Sequence, residues 1–219
     1  MNINDYILKD LKTLQLKSTV KNAEEQYENF SISHIPVVEN GNLIGSFAES
    51  DLQTIEKKED LLSNYSYLLS SFFTDSEASV LELLKLFANN DCNIIPVLNS
   101  NKIYIGYYDL ADVLDVFSNS PFLYDESTTL IIEKNEKEYS MSEIAQIVES
   151  NNARLLGMYI SLRKSDSIQV TLRILTKDIN EIIQTFRRYN YNLVLDHKDD
   201  VYLEDLKDRS EYLKKYLKM

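Results

Sequence analysis

The chain contains no tryptophan, one cysteine, two histidines, three prolines and four glycines among 219 residues. A single cysteine, Cys92, excludes an intramolecular disulfide framework, and between a helix and a core strand it reads as a small packed side chain. The two histidines, His34 and His197, have no third ligand at metal spacing and do not make a zinc site. With so few glycines and prolines the turns fall to Asn, Asp and Ser, and Gly45 and Gly106 stand out by scarcity. Arginine is missing from the first 150 residues. Residues 1–124 carry 8 lysines against 18 acidic groups, whereas residues 125–219 carry 15 basic and 17 acidic groups. Nucleic acid binding needs cationic tracks that displace counterions from phosphate, so this acidic first half sets that function aside. The N-terminus lacks the basic-then-apolar layout of a secretory leader, and no apolar run approaches the roughly 18 residues of a membrane span. The expectation is a cytoplasmic protein that binds neither membrane nor nucleic acid. Nor does any nucleophile-base pair, metal cluster or phosphate loop point to an enzyme.

What the chain does have is a repeat. Ile32-Ser33-His34-Ile35-Pro36-Val37-Val38 returns in the stretch Asp91 to Leu98, which places Pro36 and Pro96 sixty positions apart. Gly45 and Asp51 return as Gly106 and Asp112, both shifted by 61. Two copies are too few for a solenoid and predict a pseudo-symmetric pair sharing one core. Clefts between such halves are natural places for a small ligand.

Each copy reads as helix, strand, strand, helix. Thr19 can cap a helix carrying Val20, Ala23, Tyr27 and Phe30, and Ser79 with Glu82 forms a capping box ahead of Val80, Leu83, Leu84 and Phe87. The strands are Ile35 to Val38 and Leu43 to Phe47 in the first copy, and Ile94 to Leu98 and Ile103 to Tyr108 in the second. After each pair comes a helix opened by the Asp. Leu61, Leu62, Tyr65, Leu68, Leu69 and Phe72 fit helical spacing and predict a helix joining the copies.

Pro121 breaks the pattern. Beyond it the order becomes strand (Leu130, Ile132), helix (Ser140 and Glu143 as capping box, then Ile144, Ile147, Val148), two strands (Met158, Ile160, Leu162; Ile168 to Ile174), helix from Asp178 and Glu181, and strand (Leu193, Leu195). That is the split arrangement of ferredoxin-like folds. Residues 199–219 read as an amphipathic helix with Leu203, Leu206, Leu213 and Leu217 in its seam.

On the IPVV and IIPVL strands and the doubled Gly-to-Asp turns, residues 11–118 resemble a tandem pair of CBS domains, with repeats over about 11–58 and about 70–118. Residues 126–198 resemble an ACT domain. The whole is similar to the CBS-CBS-ACT arrangement of acetoin-utilisation-type proteins, an α+β architecture with a CBS pair (Bateman module) in residues 1–120. The resemblance implies a homodimeric regulatory module that binds an adenosine nucleotide between the copies and signals to a protein partner. Family sites place a Ser or Thr three residues after the Gly, near phosphate, and an Asp three further on, at the ribose hydroxyls. Asp51 and Asp112 match the ribose position. The first cleft is then His34, Ile35, Gly45, Ala48 and Asp51, and the second Ile94, Ile95, Gly106, Asp109 and Asp112.

The phosphate position departs in both copies. Ala48 removes a donor but leaves the first cleft uncharged. Asp109 brings like charge to phosphate, an opposition of roughly 4 kcal/mol at about 4 Å before water and ions reduce it. The second cleft is expected to reject AMP-like ligands and to suit a cationic adenosine compound such as S-adenosylmethionine better. A purely structural reading stays open beside this one: the glycines permit tight strand packing and the aspartates merely cap helices. Tyr104, Tyr107 and Tyr108 stack on adenine in the first reading and pack the sheet in the second. In the ACT-like region Glu133 to Tyr139 lacks the glycine-containing turn of ligand-binding relatives, so this part is expected to pair rather than to bind.

Overall fold

A computed structural model describes residues 3–124 and 126–194, and the chain divides into two units, one up to Asn119 and one from Ser120. The C-terminal strand position Leu195, His197 and the helix expected over 199–219 lie outside the described residues.

In the first unit, α1 (Val20–Asn29) opens on a reciprocal box: Thr19 Oγ1 accepts from Asn22 N and Asn22 Oδ1 accepts from Thr19 N. It leads into β1 (His34–Glu39), antiparallel to β2 (Asn42–Ala48), and then α2 (Glu49–Gln53). The second copy begins with β3 (Thr74–Asp75) and continues with α3 (Val80–Asn90), β4 (Ile94–Leu98), β5 (Tyr104–Asp109) and α4 (Leu110–Ser118). The Ser79 and Glu82 box forms as the sequence predicts. Both ribbons carry a register shift at the same place, between Val37 and Val38 and between Val97 and Leu98. The shared defect is itself a mark of the repeat.

The pairing beyond the ribbons repeats too. Leu14 bridges Val37 in parallel, and Thr74 bridges Val97 in parallel. Leu8, from the segment preceding the first copy, pairs with Tyr107 of the second, and Ser70, from the segment preceding the second, pairs with Ser46 of the first. Each copy therefore lends its leading segment to the other.

This exchange explains why residues 61–73 are not the α-helix that their spacing predicts. Leu62–Leu68 is a 3-10 stretch kinked at Tyr65, and the chain then extends so that Ser70 can pair with Ser46 and Thr74 with Val97. Long-range pairing overrides the apolar period, which still serves to bury Leu62 and Phe72. The helices after the ribbons also start earlier than expected. α2 begins at Glu49 with Ala48 at its cap position and no side-chain cap, and α4 is capped by Asp109, whose Oδ1 accepts from Ala111 N at 2.7 Å. Asp51 and Asp112 lie inside these helices and do not open them.

In the second unit, Pro121 does more than end a pattern: it is the first residue of a short helix, α5 (Pro121–Tyr124). There follow β6 (Thr128–Asn135), α6 (Met141–Ser150), β7 (Arg154–Arg163), β8 (Ser167–Leu175), α7 (Asn180–Arg188) and β9 (Asn192–Leu193). The sheet runs β7-β8-β6-β9 and every pair is antiparallel. Leu130, Ile132, Val170, Leu172 and Ile174 meet Ile144, Ile147, Ile182 and Phe186 in one buried core. Ser140 caps α6, but the Glu143 carboxylate leaves the box for Lys134 and Tyr191. α7 starts at Asn180, whose N–H donates to Asp178 Oδ1, two residues later than predicted.

Candidate functional site

Ser33 and Asn93 occupy equivalent positions of the two copies and bind each other. Ser33 N donates to Asn93 Oδ1 at 2.7 Å, Asn93 N donates to Ser33 Oγ at 2.9 Å, and Asn93 Nδ2 donates to Ser31 O at 2.8 Å. Their carbonyls do equivalent work: Ser33 O accepts from Glu49 N, the first residue of α2, and Asn93 O accepts from Leu110 N, the first residue of α4. The helices that carry Asp51 and Asp112 are thus anchored to one junction.

In the first copy, His34 lies opposite Ala48 in the β1–β2 register, and Asp51 follows in the first turn of α2. Asp51 is half-buried, and its carboxylate makes no hydrogen bond among the described residues. His34 is buried, with Nδ1 at 2.9 Å from Ser33 Oγ and its ring edge-on to Phe72 at 5.1 Å between centroids. Burial pushes the imidazole below its ordinary value, against the pull of Asp51 and Asp91. Ile35 is fully buried in the core with Val37, Phe47 and Leu52 and is paired with Phe47 across the ribbon, so it offers a ligand no surface and drops out of the expected cleft.

The second copy is arranged differently. Ile95 packs in its own copy's core, while Ile94 joins the core of the first. Asp109 is spent on the α4 cap. Burial, together with Asp109 and Asp115, pushes the Asp112 carboxyl up. Tyr107 and Tyr108 are buried and donate to Asp10 and Asn4 of the leading segment, which is how the sheet-packing reading has them. Cys92 is buried, and its thiol is pushed up to about 11, an inert side chain.

Both glycines are covered by the exchanged segments. A side chain at Gly106, whose φ is +146°, would place its Cβ 2.3 Å from Leu8 O. One at Gly45 would sit 3.0 Å from Leu69 Cβ and Ser70 O. The close approach of a second backbone is what these positions require. The first copy also has a cavity of about 270 Å³ lined by Glu24, Tyr27, Glu28, Glu49, Leu52 and Gln53. It shares α2 with Asp51, yet none of the residues expected from the sequence lines it. Among the described residues no His, Cys, Asp and Glu cluster can hold a metal, and no helix is long and apolar enough to cross a membrane.

The Ser33–Asn93 junction was missed in the sequence although its spacing of sixty matches the prolines. The two residues differ in type, and repeats are noticed where letters agree.

Residues 3–56 and 70–119 match the CBS domain family. No curated protein matches significantly. Among solved structures, a CBS domain pair/ACT domain protein from Thermotoga maritima is 18% identical, with a TM-score of 0.49 over 55% of this chain and 99% of its own. The CBS domains of a transcriptional regulator from Streptococcus pneumoniae are 17% identical, with a TM-score of 0.46 over 52% and 98%. CBSX2 in complex with AMP is 14% identical, with a TM-score of 0.46 over 53% and 95%. Residues 3–56 and 70–119 of this chain are accordingly a tandem pair of CBS domains, and the Ser33–Asn93 junction joins its two members.

Proposed function

We propose that this protein is a non-enzymatic regulatory module whose CBS pair senses an adenosine-containing ligand in the first cleft. The second unit is ACT-like, and the signal passes by rearrangement of a homodimer or to a protein partner in the cytoplasm. One observation supports the reading: Asp51, to which the family resemblance gives the ribose role, lies in the first turn of α2 after Ala48, which faces His34, and its carboxylate makes no hydrogen bond among the described residues. A carboxylate in that state can accept two ribose hydroxyls. Ala48 offers phosphate no donor, so affinity must come from the nucleoside. In the second cleft Asp109 opposes phosphate, and an S-adenosylmethionine-like cation is the better fit there.

A second reading, a scaffold without ligand, is favoured by the exchanged segments that cover Gly45 and Gly106. Thermal denaturation with AMP, ATP and S-adenosylmethionine separates the two. A ligand at 100 times its dissociation constant adds about 2.7 kcal/mol, or roughly 5 to 10 °C for a chain of this length. A shift that disappears in Asp51→Ala supports sensing, and a flat panel supports the scaffold.

A further inference from the structure

The internal repeat is its own control for what the fold requires at its surface. α1 and α3 start 60 positions apart and α2 and α4 start 61 apart, so residues of the first helix pair have equivalents in the second. In the first copy the groove along α1 and α2 is lined by Glu24, Glu28, Glu49 and Gln53, together with Tyr27 and Leu52. The equivalents in the second are Leu84, Ala88, Leu110 and Leu114, together with Phe87 and Val113. Exposure matches position by position. Glu24 and Leu84 are half-buried, as are Glu49 and Leu110, whereas Glu28 and Ala88 are exposed, as are Gln53 and Leu114.

Lys21 and Leu81 make a fifth such pair, and Leu81 and Leu114 are 67% and 47% exposed. The fold accepts polar side chains at these places in one copy, so packing within the chain does not call for leucine in the other. A single exposed leucine needs no explanation, but an apolar patch spread over two packed helices does.

Charge decides what can cover this face. Seating Glu28 and Glu49 of the α1–α2 face against leucine would strip carboxylates of water with no cation in return. Two α1–α2 faces brought together would oppose like charges. The α3–α4 face matches itself, because a twofold axis that lays α3 of one chain along α4 of another meets leucine with leucine. It also brings α3, with Lys85, against α4, with Asp115, both side chains being exposed and of opposite sign.

We infer that the α3–α4 face is where two chains meet, in an isologous contact made by the second CBS repeat alone, with the acidic groove of the first repeat left in solvent. This names the surface behind the homodimer of the proposed function. No nucleotide enters its test, so its failure leaves the adenosine reading standing.

The test is sedimentation velocity on the full chain, wild type and the double variant Leu81→Lys with Leu114→Gln. The first copy carries those residues at the equivalent positions, so the helices tolerate them. The wild type sediments as a dimer, and the variant, with its far-UV circular dichroism unchanged, has a dissociation constant at least about a hundredfold higher. Glu24→Ala with Glu28→Ala, on the other face, leaves the dimer intact. A wild type still monomeric at about 100 μM, far above the micromolar range of a working dimer, overturns the inference. So does a folded double variant that stays dimeric, or a dimer lost with the Glu24 and Glu28 changes. If the double variant does not fold, methyl resonances of the wild type on dilution decide: Leu81 and Leu114 shift and Leu52 does not, and any other pattern overturns the inference.

Discussion

Ser33 and Asn93 stand 60 positions apart and exchange hydrogen bonds, the backbone N–H of each donating to the side chain of the other. A pair of this kind belongs to neither repeat alone. It converts an internal duplication into a single structure, because each partner also seats the helix that follows its own ribbon.

Ser33→Ala and Asn93→Ala should each cost about 1 to 2 kcal/mol, since each leaves part-buried donors without acceptors. The double variant should cost less than the sum, with a coupling of at least roughly 0.5 kcal/mol in a urea-denaturation cycle. Additive losses would mean that the two residues act separately.

Gly106→Ala should be the more damaging of the two glycine changes. Its φ of +146° is strained for any side chain and the Leu8 carbonyl lies 2.3 Å from the new Cβ. A loss of roughly 3 kcal/mol is expected, against about 1 kcal/mol for Gly45→Ala, whose contacts begin at 3.0 Å. Equal losses in chemical denaturation would contradict the exchanged-segment account.

In the second unit, Glu133 accepts from Lys164, Ser167 and Gln169, and these bonds hold its carboxyl down at about 2. A carboxyl lowered in the folded state stabilises fully above the ordinary carboxylate range and loses that contribution as pH falls towards 2. After solvent screening, Glu133→Gln should remove about 1 kcal/mol at neutral pH and flatten the acid limb of stability below about pH 4.5. An unchanged acid limb would show that the carboxylate contributes nothing to folding.

Tyr191→Phe removes a donor to Glu143 Oε2 at 2.7 Å and leaves the ring beneath Lys134 Nζ, 4.2 Å from its centroid. The expected cost is about 1 kcal/mol, because Lys134 still pairs with Glu143 at 3.0 Å. A cost above roughly 3 kcal/mol would place the weight of the network on the hydroxyl.

The local signals were the ones the sequence displayed well. Ser79 with Glu82 named a helix start, Pro36 with Pro96 named the equivalent strands, and the alternation from Ile168 to Ile174 named β8, because each depends on neighbours within a few residues. The joining segment was misread for the opposite reason. Its period suits a helix, but Ser46 and Val97, distant in sequence, claim its backbone. The helix starts slipped because Asp109 and Asp112 are both good N-caps by type, and only the chain direction after β5 chooses between them. Of the expected site, Asp51, His34 and Ala48 come together as a group. Ile35 and Ile95 turn into cores, and Gly45 and Gly106 face exchanged backbone.

Calorimetric titration of AMP into the full chain tests the central claim most directly. The account predicts one molecule bound per chain, lost in Asp51→Ala and kept in Asp112→Ala. Absence of binding to the folded wild-type protein, or unchanged binding by Asp51→Ala, would contradict it.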